Sequence, residues 1–368
     1  MLDTIILQIP RGRYEIIEHT KFNPPTTRML QNNLPYFKYV NNPMAHDKSL
    51  KVYKPRMTIH KRGMNFNLVV EFSAPKILFN NNVDELEDKD FDEALRRLKE
   101  KMLAMGVLVN LNNLKNAEVL AFHPSKNIPL TKGYTATFAI RELSKIDVSQ
   151  KFDISKIKFR NNGEELQLYT NSHSIVFYDK IADLKNPEHR AVDKQQTKFQ
   201  RSLFDYLKEK NRIELLRLEI RLSKKVKMNE ILKKVDHAPN PLFKDVFKKD
   251  LCQKIVNWYW NEFFNSNQFI FSTTSNPQEI LQLIFLKYPK VKTLNAIKAV
   301  GLYALCRDKE GIRGFRQVID NYRSKTNWEV VKNNLKMFED EIFTNSTWDF
   351  VKDIKQELKN FKPFRLKN

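Results

Sequence analysis

The sequence predicts an α+β protein: an antiparallel sheet with helices packed on one face, followed by a helical C-terminal domain. Two observations lead there. Up to about Leu222, short segments with period-two alternation and β-branched or aromatic residues are separated by stretches whose apolar residues recur at helical spacing. After about Leu242 the strand signal stops, and helical patterns run on to the end of the sequence.

Taken in order, strands are expected at Thr4 to Gln8 and Phe66 to Ser73, and Phe91, Leu95, Leu98, Met102 and Met105 then form one helical stripe. Further strands are expected at Val119 to His123, Tyr134 to Arg141, Leu166 to Tyr169, Ser174 to Ile181 and Leu215 to Leu222, with a second helical stripe, Phe199, Leu203, Tyr206 and Leu207, before the last. The order repeats itself: "NLVVEFSAPK", a helix and "EVLAFHPSKNI" match "SIVFYDKIADL", a helix and "LLRLEIRLSKK" in pattern, though not in residue identity. A duplicated strand-helix-strand unit would bring residues from the open face of both copies to a central site. Phe247, Leu251, Ile255, Trp258 and Trp260 open the helical part, so the expected division is residues 1–241 and 242–368. Thr293 to Tyr322 holds an apolar-periodic helix, a break at Gly311 and Gly314 and a second, basic helix. That pattern suits a DNA-contacting helix-turn-helix and equally any helical bundle.

Composition narrows the partners. The 368 residues are 41% hydrophobic, enough for a sizeable core, and 64 Lys and Arg against 43 Asp and Glu give a formal charge of +21 and a pI of about 9.7. Such an excess suits a polyanion, nucleic acid first, because each neutralised phosphate releases counterions. A merely soluble basic surface is the plainer explanation. Cys252 and Cys306 stand alone in helical stretches, which argues against a disulfide framework or a cysteine zinc site and for an intracellular chain. "MLDTIILQIPRGR" carries Asp3 in an apolar run too short for a signal peptide, and no run of 18 apolar residues occurs, so neither secretion nor a membrane span is expected.

Some strands carry groups that a core does not need. In "LLRLEIRLS", Leu216, Leu218, Ile220 and Leu222 face one way and Arg217, Glu219 and Arg221 the other. A solvated antiparallel strand would show the same face; beside a pocket, the carboxylate can hold a metal while the arginines bind phosphate. Glu71 interrupts the apolar "NLVVEFS", and His123 ends "VLAFH". Together Glu71, His123 and Glu219 offer two carboxylates and an imidazole, a set able to bind Mg²⁺ or Mn²⁺ with positions left for phosphate oxygens. In "FYDKIADL", period two sets Tyr178 and Lys180 side by side. A tyrosine next to a lysine and a divalent ion can attack a phosphodiester, although a core tyrosine beside a surface lysine has the same spacing.

These segments, "DTIILQIP", "VEFSAPKILFNNN", "AFHPSKNI", "SIVFYDKIADL" and "LRLEIRL", lie in an order and spacing that resembles the rolling-circle replication initiators of the filamentous-phage gene II type, over about Met1 to Lys234. The resemblance implies an HUH-like endonuclease that nicks one DNA strand at an origin. Its catalytic tyrosine lies in a Tyr-x-Lys element, here Tyr178 and Lys180, with Tyr169 as the alternative upstream. A 5′-phosphotyrosyl link and a free 3′-hydroxyl would form, and the ends would later be rejoined. The resemblance further implies metal ligation by Glu71 and Glu219, a single-stranded nick site and a duplex origin as DNA partners, a host helicase and polymerase, and the cytoplasm of a bacterial cell. Two departures stand out. The family has Asp where this chain has His123, and none of the seven histidines forms a His-x-His pair; His173, near Tyr178, would assist only through a loop. The competing readings are a metal-dependent hydrolytic nuclease without a covalent intermediate and a nucleic-acid-binding protein without catalysis.

Overall fold

Period-two alternation in "LLRLEIRL" gives the cleanest strand of the protein, Leu215–Leu222, with Leu216, Leu218, Ile220 and Leu222 all essentially inaccessible to solvent. A computed structural model describes residues 1–43, 52–146, 148, 158–160, 164–185, 214–323, 325–340, 343 and 347–366. Eleven strands occur among them: β1 (Leu2–Pro10), β2 (Glu15–Ile16), β3 (Tyr36–Asn41), β4 (Arg56–Arg62), β5 (Asn65–Ser73), β6 (Val107–Leu108), β7 (Glu118–Pro129), β8 (Lys158–Arg160), β9 (Glu165–Tyr169), β10 (His173–Asp179) and β11 (Leu215–Leu222). Nine form one sheet in the order β3-β4-β5-β1-β7-β11-β10-β9-β8, with every ladder antiparallel, while β2 and β6 pair separately.

One face of this sheet is apolar and covered. Ile5, Leu7 and Ile9 of β1, Leu68 and Val70 of β5, Ile175 and Phe177 of β10 and Leu216, Leu218 and Leu222 of β11 join a single core cluster. Helix α1 (Ala74–Phe79) follows β5 directly, and α2 (Phe91–Ala104) contributes Leu95, Leu98 and Met102 to the core, the stripe expected from spacing. Further helices are α3 (Leu111–Lys115), α4 (Ala136–Leu143), α5 (Lys180–Lys185), α6 (Lys225–Lys234), α7 (Phe243–Val246) and α8 (Lys249–Phe264). Phe264 of α8 meets Phe177 edge-on at 5.3 Å, and Phe243 of α7 meets Phe72 and Phe91 at 5.7 and 5.2 Å. Each such side chain contributes about 1.5–3 kcal/mol by leaving water.

The architecture is the predicted one, an α+β fold with helices on one face of an antiparallel sheet and a helical C-terminal region: α9 (Pro277–Lys287), α10 (Thr293–Arg307), α11 (Gly311–Tyr322), α12 (Lys325–Leu335) and α13 (Asp349–Asn360). The two helices expected around the break at Gly311 and Gly314 are α10 and α11, but the break falls between Arg307 and Gly311: Gly311 opens α11 and Gly314 lies within it. The boundary drawn at 241/242 falls inside a continuous core, because α7 and α8 pack on the sheet and the chain after α13 returns to residues 84–90. There Glu85 N donates to Phe364 O at 2.9 Å, Phe364 N donates to a Glu85 carboxylate oxygen at 2.8 Å, and Arg365 pairs with Asp90 at 2.9 Å. Among the described residues no helix is long and apolar enough to cross a membrane.

Four local expectations change. Tyr134 to Arg141 is not a strand: Thr135 caps α4 by accepting from Phe138 N at 3.1 Å, and Ala136, Ala139, Ile140 and Leu143 bury one helical face. β10 stops at Asp179, whose carboxylate accepts from Ile181 N and Ala182 N at 2.9 Å and turns the chain into α5. β3 and β4 were not foreseen, although Met57 and Ile59 alternate inward. The duplication is loose: β10 lies next to β11, whereas β1 separates β5 from β7. The stripe from Phe199 to Leu207 lies outside the described residues.

Candidate functional site

The face opposite the helices carries the polar residues, and antiparallel register decides which of them meet. Tyr178 of β10 stands opposite Arg217, Val176 opposite Glu219 and Ser174 opposite Arg221, while β7 lays Ser125 opposite Glu219 from the other side. Glu219 is the hub. One of its oxygens accepts from Arg221 Nε at 2.8 Å and lies 3.3 Å from His123 Nδ1; the other accepts the Tyr178 hydroxyl at 3.2 Å. Burial opposes charge on Glu219, but Arg221, the hydrogen bond to His123 and Arg217 outweigh it and hold the carboxyl well below its usual range.

Tyr178 is 8% exposed, and burial pushes its phenol well above the ordinary value, with Arg217 opposing and Glu219 adding to the shift. Lys180 opens α5, yet its ammonium still reaches to 5.4 Å from the centre of the Tyr178 ring and 3.2 Å from Asp183. Burial lowers Lys180 to about 8, against the pull of Asp183. The tyrosine, lysine and glutamate singled out from spacing are therefore gathered, together with His123.

Arg217 and Arg221, paired in the sequence reading as phosphate ligands, are placed differently. Arg217 is 2% exposed and donates to Asn82 O at 2.6 Å and Ser125 Oγ at 2.9 Å, with Asp3 at 3.4 Å. Ser73 Oγ donates in turn to Asp3 at 3.0 Å, so this network stitches β11, β7, β1 and β5. The Arg221 side chain keeps 31% exposure beside Glu219.

Glu71 lies elsewhere. On β5 it faces Arg56 of β4 and Ile6 of β1, and β1 separates it from the strand of His123. As arranged, the expected ligands do not fit a divalent ion: Glu71 is apart, and the Arg221 guanidinium sits on the carboxylate oxygen that His123 shares. Among the described residues no group of three or more His, Cys, Asp and Glu gathers around one point. His173 is no loop residue; it begins β10 on the covered side, 5.8 Å from the Tyr259 ring, and burial lowers it to about 4. Tyr169 is half-buried on β9, opposite Ser174.

Sequence reasoning missed Asp3, Ser125, Asn82 and Asp183. Asp3 had a legible signal, a lone acid inside "LDTIILQIP"; the others are polar residues whose neighbours come from distant strands and loops. In comparison with known proteins, the chain matches no family model, no curated protein sequence and no solved structure.

Proposed function

We propose that this chain is a DNA strand-nicking and joining endonuclease that starts rolling-circle replication, with Tyr178 as nucleophile. The observation that carries the reading is the Tyr178 hydroxyl donating to Glu219, whose other oxygen holds His123 and Arg221. A carboxylate kept ionised beside a phenol is placed to take its proton. As that proton passes to Glu219, the phenolic oxygen forms a bond to phosphorus and the bond from phosphorus to the 3′-oxygen breaks, the leaving oxygen taking up a proton from solvent. A phosphotyrosyl ester then keeps the energy of the broken phosphodiester, and attack by a free 3′-hydroxyl reverses the step. Arg221, partly exposed, meets the phosphate charge, and Lys180 beside the ring lowers the cost of phenolate. The net charge of +21 favours a nucleic-acid substrate.

Tyr178 is only 8% exposed in this arrangement, so the reaction requires its surroundings to open. That burial also favours a second reading, a nucleic-acid-binding protein that does not cleave. A labelled single-stranded oligonucleotide incubated with the protein, with Mn²⁺ or with a chelator, and run on a denaturing gel separates the readings. The expected result is a covalent adduct that Tyr178→Phe abolishes while binding stays within a few-fold. An adduct surviving in Tyr178→Phe sinks the assignment; free fragments without adduct mean hydrolysis, and an intact oligonucleotide means binding alone.

A further inference from the structure

The far end of the open face is built unlike the cluster around Glu219. β3 is the outermost strand on this side of the sheet, and β3 with β4 sets three cations, Lys38, Arg56 and Arg62, on this face and no carboxylate, Lys61 being turned to the covered side. Register pairs Tyr36 with Arg62 and Lys38 with His60, so these four side chains share the open face. Tyr36 is 49% exposed; its ring centre lies 6.5 Å from that of His60 and 5.8 Å from Lys38 Nζ. Lys38 and Arg62 are themselves exposed. Gly63 N donates to Pro35 O at 2.8 Å, which draws the exposed Leu34 and Met64 to the same rim. His60 is lowered by burial and then by Lys38 and Arg62, a sign of how closely the two cations crowd it.

We propose that this rim, Tyr36, Lys38, His60 and Arg62, binds single-stranded DNA, with Tyr36 stacking on a base and Lys38 and Arg62 meeting phosphates. An exposed aromatic ring amid cations is the combination that holds an unpaired strand, because every base has a face to stack and every nucleotide a charge to neutralise. A duplex offers the charge but keeps its bases stacked inside. β4, β5 and β1 separate β3 from β7, so Tyr36 and Lys38 lie about 19 Å, and His60 and Arg62 about 14 Å, across the sheet from the strand of His123. Along the strands the offset is about 20 Å, since Asn67 pairs with both His60 and Pro10 whereas Phe122 pairs with Ile5. One extended strand of several nucleotides can touch both places. The choice of DNA over RNA rests on the nicking reading; the choice of a single strand rests on the rim itself.

The test uses the full chain and a fluorescein-labelled oligothymidylate, with binding followed by anisotropy against salt. Tyr36→Ala is expected to weaken binding roughly tenfold through lost stacking, with the salt slope unchanged. Lys38→Ala combined with Arg62→Ala is expected to make the slope shallower by about 1.4, two contacts at ~0.7 each. Both substitutions are on exposed side chains, and circular dichroism checks that the fold is kept. If both variants bind like the unaltered chain, or the unaltered chain does not bind, the rim is not a single-strand site. Tighter binding of duplex DNA, or of oligouridylate, overturns the ligand named here. An adduct that forms normally while both variants bind unchanged removes the rim and leaves the nicking reading standing. Weakened binding in the variants with no adduct from any chain does the reverse.

Discussion

Around Glu219 the open face is sealed by its own side chains, whereas along β3 and β4 it is left to solvent. The sealed end joins Tyr178, His123, Arg221, Arg217, Asp3 and Ser125 by hydrogen bonds and ion pairs, with Glu219 at 3% and Arg217 at 2% exposure. The outer end presents Tyr36, Lys38 and Arg62 to water with no acid in either strand. Burial shifts protonation and strengthens every charge interaction, which is what proton transfer needs; exposure keeps cations available for a partner, which is what binding needs. The same sheet face therefore offers two different physical environments. The prediction that follows is general: substitutions at the sealed end change stability, and those at the rim change affinity.

The largest effect is expected from Arg217→Ala. It leaves Asp3 buried without its cation and Ser125 without a donor, and removing one partner of a buried pair typically costs about 3–5 kcal/mol. Urea unfolding measures this, and a loss under 1 kcal/mol would mean that the network is not what holds β11, β7 and β1 together.

Next comes pH. His173, on the covered side of β10, is pushed to about 4 chiefly by burial and then by Lys227. Between that value and the ordinary one near 6.5, an unfolded chain binds a proton that the folded chain does not, so stability rises with pH across this window. The full contribution, about 1–2 kcal/mol once solvent screening of the partly solvated ring is allowed for, is present above ~6.5 and is lost progressively as pH falls towards 4. Glu219 acts in the same direction only below the ordinary carboxylate pKa of about 4.3, since its folded value is depressed. Unfolding curves at several pH values should show the slope, and His173→Gln should flatten it; a slope that survives in the variant belongs to another group.

A loss of similar size, about 2 kcal/mol, is expected for Glu219→Gln, because the amide keeps the shape while the hydrogen bonds that the side chain accepts from Arg221 and His123 lose the carboxylate charge. The Tyr178 phenol should then ionise more easily, since Glu219 is one of the groups raising it. Ultraviolet titration of the variant against the unaltered chain reads this directly. An unchanged phenol would leave burial alone as the cause.

The sealed end was partly legible in the sequence and the rim was not. Alternation in β11 set Arg217, Glu219 and Arg221 on one face, and the Tyr-x-Lys spacing set Tyr178 next to Lys180, because both depend only on neighbours along the chain. Which of these groups touch is a matter of strand order. Glu71 and Glu219 looked alike as lone acids in apolar strands, but the insertion of β1 between β5 and β7 sends them apart, and nothing local announces a pairing between residues 2–10 and 118–129. β3 escaped because "YFKYVN" is short and polar on its outer face, and β4 because His60 and Lys61 mask the alternation of Met57 and Ile59. The helix at Ala136 was hidden by "YTATFAI", whose β-branched and aromatic residues also fit a strand; the cap at Thr135 and the burial of Ala139 and Leu143 decided otherwise.

The smallest expected stability effect is the one that tests the rim. Tyr36→Ala, Lys38→Ala and Arg62→Ala each remove a side chain that is exposed on the outer strands, and substitutions of that kind away from caps, cores and networks usually fall within about 0.5 kcal/mol. Lys38→Ala and Arg62→Ala should if anything stabilise slightly, because each relieves like-charge crowding around His60, and in both variants the His60 imidazole should titrate closer to its ordinary value. Unfolding midpoints and an NMR titration of His60 give the two readouts from the same samples. Removing a cation from a structural network would instead lower the midpoint, as Arg217→Ala must. A destabilisation of the rim variants comparable to Arg217→Ala would place Lys38 and Arg62 among groups that hold the fold, and the contrast between the two ends of the face would be lost.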